Sequence, residues 1–160
     1  MRELILFFLL SGCAVERRCP NTFMKAPSIP VVFEYDASVP AEHKPLVESA
    51  ARRWNNAVGT EVIKLGQSTN KIIFHPTTWE YGENTLGVTR PAFGVFGIST
   101  FIEYRARSLN LEQLFAHEMG HALGVDHIND PYNIMYPATN YITREISHIE
   151  IEAVRCLYAE

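Results

Sequence analysis

The sequence predicts an α+β fold: strands and one helix come first, two helices flanking a loop follow, and no βαβ unit repeats along the chain. With 160 residues, 47% of them apolar and 20% charged, the chain can bury one proper core in a single domain. Its net charge of −4, from 14 Lys+Arg against 18 Asp+Glu, argues against a nucleic-acid-binding surface. Aromatic residues spread along the whole length argue against disorder. No run of about 18 apolar residues is present, so no segment reads as a membrane-spanning helix.

At the N-terminus, Met1-Arg2-Glu3 precedes an apolar run over residues 4–10 and then Ser11-Gly12-Cys13. A charged start, a short hydrophobic stretch and small residues are the pattern of a secretory signal. As a helix the run would rise only about 10 Å, far short of a bilayer. Leu10-Ser11-Gly12-Cys13 resembles the lipoprotein box of bacterial exported proteins, where cleavage before the cysteine is coupled to lipid attachment on its sulfur. That resemblance implies a signal peptide over 1–12, a lipid anchor on Cys13 binding the membrane, and a proline-bearing tether over 13–29. The protein is then exported and held in the cell envelope, on the outer membrane or cell surface; an ordinary signal would instead make it secreted. Export leaves Cys19 and Cys156, one near each end of the mature chain. They can form a disulfide in an oxidising compartment, Cys19 can sit on a metal as an inhibitory switch, or both can stay free thiols.

The folded domain is expected over 30–160. Val31-Val32-Phe33-Glu34-Tyr35 is β-branched and aromatic, hence a strand. Leu46, Ala50, Trp54 and Ala57, with Val47 and Ala51 beside them, recur at helical spacing and predict a first helix near 43–58, stopped by Gly59. Arg52-Arg53 reads as its solvated face. Residues 61–65 and 71–74 read as strands, and 86–90 and 98–104 as extended pieces of a glycine- and aromatic-rich stretch. Asn110 with Gln113 caps a helix over 111–124, and Ser147 with Glu150 caps one over 147–158. His43, His75 and His148 lie outside any motif and read as surface or helix-end residues.

The chemistry is concentrated in His117-Glu118-Met119-Gly120-His121-Ala122-Leu123-Gly124-Val125-Asp126-His127. His117 and His121 are one helical turn apart, so both imidazoles leave the same face and can grip one zinc ion. Glu118 is not needed as a ligand and can reach a metal-bound water. Gly124 can take positive φ, ending the helix and turning the chain so that His127 returns as a third nitrogen ligand. Three histidines leave the fourth tetrahedral position to water, which is the catalytic arrangement.

This stretch resembles the extended zinc motif of the metzincin peptidases. Its continuation, Asp130-Pro131-Tyr132-Asn133-Ile134-Met135-Tyr136-Pro137, resembles the matrixin (matrix-metalloproteinase) branch. Met135 matches the Met-turn methionine beneath the zinc site, and 146–158 resembles the matrixin final helix. Trp54 and Leu86-Gly87 fit more loosely. The similarity covers residues 30–160 and is strongest over 111–158. It implies a zincin-like catalytic domain with a twisted mixed sheet and three helices, one catalytic Zn2+, and protein or peptide substrates. Leu86, Gly87 and Val88 then line a substrate-binding rim, and Pro137 and Tyr141 the wall of the primed-side pocket. The chain departs from the family at Ile149 and Glu150, where matrixins carry paired aspartates. It also has no His/Asp-rich stretch before residue 111 resembling the structural zinc and calcium loops, which leaves Ca2+ open.

The expected activity is zinc-dependent endopeptidase, with Glu118 as general base toward a zinc-activated water. The protein is expected to act as a monomer without nucleic acid. The rival reading is an envelope module that keeps the zinc site but only binds a peptide or protein.

Overall fold

The computed structural model describes residues 19–22, 28–76, 80–82, 84–94, 97–105, 110–138 and 144–159, with side chains omitted at 92–94, 97 and 98. The expectations for the signal over 1–12, lipidation of Cys13 and the role of Tyr141 lie outside these residues. Among the described residues, no helix is long and apolar enough to cross a membrane.

Strand β1 (Val31–Tyr35) buries Val31 and Phe33 on one face, as its alternation requires. Helix α1 (Lys44–Val58) follows and buries Val47, Ala50, Ala51, Trp54 and Val58. It begins one residue later than the expected 43, because Ala41–His43 forms a 3-10 turn instead. Gly59 ends it in the left-handed conformation, φ 87°, returning its N–H to Asn55 O. Asn55 also sets the next strand: its side-chain oxygen accepts from Val62 N (2.8 Å) and Ile63 N (2.9 Å). Val62 O in turn accepts from Val31 N at 2.8 Å, and β2 itself is Ile63–Leu65, shorter than the expected 61–65.

Strands β3 (Lys71–Phe74), β4 (Gly87–Gly94) and β5 (Gly97–Tyr104) complete one mixed sheet in the order β2-β1-β3-β5-β4. The pairs β1–β2, β1–β3 and β3–β5 are parallel, and β4–β5 is an antiparallel hairpin. The hairpin strands run further toward each other than the sequence pattern indicated. Its consequence is topological: β4 is the sheet's outer strand, with one edge free of any described strand.

Helix α2 (Leu111–Ala122) packs against β4 and β5 and against α1, where Trp54 Nε1 donates to Ala116 O at 2.7 Å. Asn110 caps it by accepting from Gln113 N. Helix α3 (His148–Tyr158) starts after Ser147, which is its N-cap and not its first helical residue. One core joins Phe33, Ile72, Ile102 and Tyr104 of the sheet to Trp54 of α1, Phe115 and Met119 of α2, and Val154 of α3.

Arg53, expected on a solvated face, is instead half-buried: it pairs with Glu112 at 2.9 Å and donates to Arg144 O at 2.6 Å. It ties α1 to α2 and to the chain entering α3. Residues 19–22, read as tether, are fastened to the domain. Cys19 is joined to Cys156 of α3 by a disulfide, Thr22 bridges Val125 in antiparallel sense, and Asp126 N donates to Asn21 O at 2.8 Å. The disulfide overturns the readings of Cys19 as a metal-bound switch or free thiol, since a disulfide sulfur offers no thiolate.

Candidate active site

The site is built on the last turns of α2 and the two loops that meet it. His117 and His121 leave α2 one turn apart. After Ala122 the helix ends two residues short of the expected 124. Gly124, at φ 92°, donates to His121 O, and Val125 N donates to Gly120 O at 2.9 Å. This pair of bonds is the Schellman stop, which requires a residue at ease in the left-handed region. The chain then doubles back, and Asp126 Oδ1 receives the N–H of His127 at 2.7 Å, orienting the third histidine.

The three imidazoles converge, with one ligand nitrogen from each lying within 4.8 Å of the others. His121 Nε2 and His127 Nε2 are 3.1 Å apart, close to the about 3.3 Å that separates two nitrogens on a tetrahedral zinc. The outer ring nitrogens have fixed tasks. His117 Nδ1–H donates to Ile134 O at 2.8 Å and His121 Nδ1–H to Val125 O at 2.9 Å. A nitrogen facing a carbonyl must carry the proton, so both Nε2 atoms present lone pairs inward. Burial pushes the pKa of His117 down from 6.5 to about 3, and it also lowers that of His121. Neutral, pre-oriented imidazoles are what zinc ligation needs. Among the described residues no other cluster of His, Cys, Asp or Glu converges in this way.

Met135 is fully buried, with its Sδ against Gly120 of α2. Its carbonyl accepts from Ile128 N at 3.0 Å, which joins the loop after His127 to the loop that orients His117. Gly120 makes the approach possible. A Cβ there would lie 2.3 Å from Met135 Sδ and 2.9 Å from Trp54 Cζ2.

Glu118 is 4% exposed, and burial raises its pKa from 4.5 to about 7 while hydrogen bonds from Thr89 pull it back. Thr89 Oγ1 lies 2.7 Å from Glu118 Oε2 and 2.8 Å from Glu118 O. Gly87, two residues earlier on β4, leaves space that a Cβ would fill at 2.7 Å from Glu118 Oε1. A buried carboxyl near neutrality can both take and release a proton.

Of the expected rim, Leu86 packs partly buried against the core and precedes β4, and Gly87 faces Glu118. Alternation turns Val88 to the other side of the sheet with Arg90, which pairs with the buried Glu103. Pro137 is exposed after the Met135 turn. His75 pairs with Glu103 and His43 with the Tyr104 hydroxyl, and His148 is solvent-facing. Glu150, where the family has an aspartate, is fully buried and bonded to Ser147, whose Oγ accepts from Asn133 of the Met135 loop at 3.2 Å. Ile149 is exposed. Sequence reasoning passed over Thr89 and Gly120. The available signals were a hydroxyl in an apolar rim and a glycine inside a helix.

A family model described as Matrixin, a peptidase family, matches residues 49–159. Matrix metalloproteinase-20 of Homo sapiens is 26% identical over 129 residues, covering 70% of this chain and 27% of that protein. Stromelysin-2 of Rattus norvegicus is 24% identical over 146 residues, covering 79% and 31%. Macrophage metalloelastase of Oryctolagus cuniculus is 43% identical over a shorter stretch of 49 residues, 31% of this chain and 11% of that protein. The chain thus spans less than a third of the length of the curated relatives it matches.

Proposed function

The chain belongs to the matrixin family of peptidases, and from that membership we propose that it is a zinc-dependent endopeptidase with Glu118 as its general base. The observation that carries the proposal is the convergence of three imidazoles, two of them held by carbonyls through their outer nitrogens. His117, His121 and His127 would hold the ion. Zinc bound there supplies a Lewis acid that acidifies water and polarises a peptide carbonyl.

The remaining work falls to the chain's own groups. Glu118 takes a proton as the water attacks and delivers it to the leaving amine. The outer edge of β4 has no described strand beside it, so an extended peptide substrate adds there as a further strand beside Leu86, Gly87 and Val88. Pro137, exposed after the Met135 turn, would wall the pocket beyond the scissile bond. We also place the protein in the cell envelope, anchored through Cys13. The Cys19–Cys156 disulfide supports export, because such bridges persist in oxidising compartments.

Digestion of a peptide pool by the zinc-loaded protein tests the activity. The wild type is expected to cleave it, a chelator to abolish cleavage, and Glu118→Gln to keep zinc while losing at least about 100-fold in rate. Retained cleavage by Glu118→Gln would remove Glu118 as the base. A zinc-bearing wild type that binds peptides without cutting them would leave a binding module.

A further inference from the structure

We propose that Thr89 is a positioning residue for Glu118: from the edge strand β4, its hydroxyl holds carboxylate oxygen Oε2 and fixes the direction in which the other oxygen faces. The inference rests on the peptidase reading and adds to it a second element, outside α2, that holds the base.

The argument begins with residue type. Thr89 is paired in register with the fully buried Ile102 of β5 and faces α2. Valine has the same shape as threonine and would suit that apolar position without a polar atom to satisfy. What threonine adds is one O–H, and the two acceptors recorded for it are Glu118 Oε2 at 2.7 Å and Glu118 O at 2.8 Å. Glu118, 4% exposed, needs such a donor, because a buried carboxylate without a hydrogen bond is costly and a charge-assisted bond is the usual compensation.

Geometry then gives the bond a direction. Thr89 and Gly87 are alternate residues on the same side of β4. Oε2 is held at 89, while Oε1 lies against position 87, where a Cβ would come within 2.7 Å. One oxygen is fastened and the other is left space. Rotation of the carboxyl about its terminal bond, ordinarily broad, is thereby restricted. A base displaced by an ångström loses about 100-fold in rate, which sets the scale of what Thr89 protects.

The test compares Thr89→Val and Thr89→Ser in the zinc-reconstituted full chain, using a quenched-fluorescent peptide pool, metal analysis and urea unfolding. Thr89→Val is expected to lower kcat about 10- to 100-fold with KM little changed and one zinc per chain retained, and Thr89→Ser to recover most of the rate. In unfolding, the midpoint shift caused by Thr89→Val is expected to shrink when Glu118 is already Ala, showing that the two side chains are coupled. Wild-type kcat in Thr89→Val, loss of its zinc, failure of Thr89→Ser to recover, or additive midpoint shifts would each overturn the proposal. If the wild type cleaves nothing, the peptidase reading fails on its own, and the unfolding cycle still decides whether Thr89 holds Glu118.

Discussion

Gly120 shows how a residue can matter through what it lacks. In the interior of an exposed helix, replacing glycine by alanine gains about 1 kcal/mol of propensity. Here the added Cβ would fall 2.3 Å from Met135 Sδ and 2.9 Å from Trp54 Cζ2. Gly120→Ala is therefore expected to destabilise the protein by about 1–3 kcal/mol, as overpacking does, measured by urea denaturation. An unchanged or raised midpoint would mean that Met135 can move aside at no cost. At this scale the sequence reveals what is local. His117, Glu118 and His121 share one helical turn, and Gly124 lies close enough for the return of His127 to be inferred. Thr89 was hidden because its partner lies 29 residues further on. Met135 could be placed under the site only through a family resemblance.

Between residue and molecule, the loop carrying His127 is held at both ends by backbone conformation. Gly124 at φ 92° stops α2, and a side chain there costs about 1–2 kcal/mol. Gly124→Ala is expected to weaken zinc binding about tenfold, read by competition with a chromophoric chelator; wild-type affinity would show that the turn forms without glycine. On the far side, Val125 and Asp126 are bonded to Thr22 and Asn21, whose segment is locked to α3 by Cys19–Cys156. The carbonyl of Val125 also orients His121. Cys19→Ser is thus expected to cost about 2–4 kcal/mol of stability and to weaken zinc binding as well. A loss of stability with unchanged zinc affinity would confine the disulfide to stapling. Helices were readable because caps and periodicity are local: Asn110 and Ser147 stand at the starts the sequence indicated. The sheet order was not, because parallel pairing joins segments far apart and is set by shared burial. The role of Arg53 was missed for the same reason, its partners Glu112 and Arg144 being remote in sequence.

For the molecule as a whole, folding, metal binding and pH are linked. Burial holds the pKa of His117 at about 3 against 6.5 for an unperturbed imidazole. Between those values the unfolded chain binds a proton that the folded chain refuses, so this contribution is complete above about pH 6.5 and is lost as pH falls toward 3. Glu118, whose pKa burial raises from 4.5 to about 7, titrates with the opposite sign between those values, so the linkage is read in Glu118→Gln. That metal-free variant should unfold at lower urea as pH drops from about 6.5 toward 3. Zinc, which binds the neutral imidazoles of the folded state, should raise the midpoint, adding about 2.7 kcal/mol of stability at a concentration 100 times its Kd. A metal-free Glu118→Gln variant equally stable at pH 7 and pH 4 would show that His117 is not held neutral by the fold. The most direct measurement is metal analysis with X-ray absorption at the zinc edge on the natively purified protein. The account predicts one zinc per chain, with three imidazole nitrogens at about 2.0–2.1 Å. Substoichiometric metal, or a coordination shell without those three nitrogens, would contradict it.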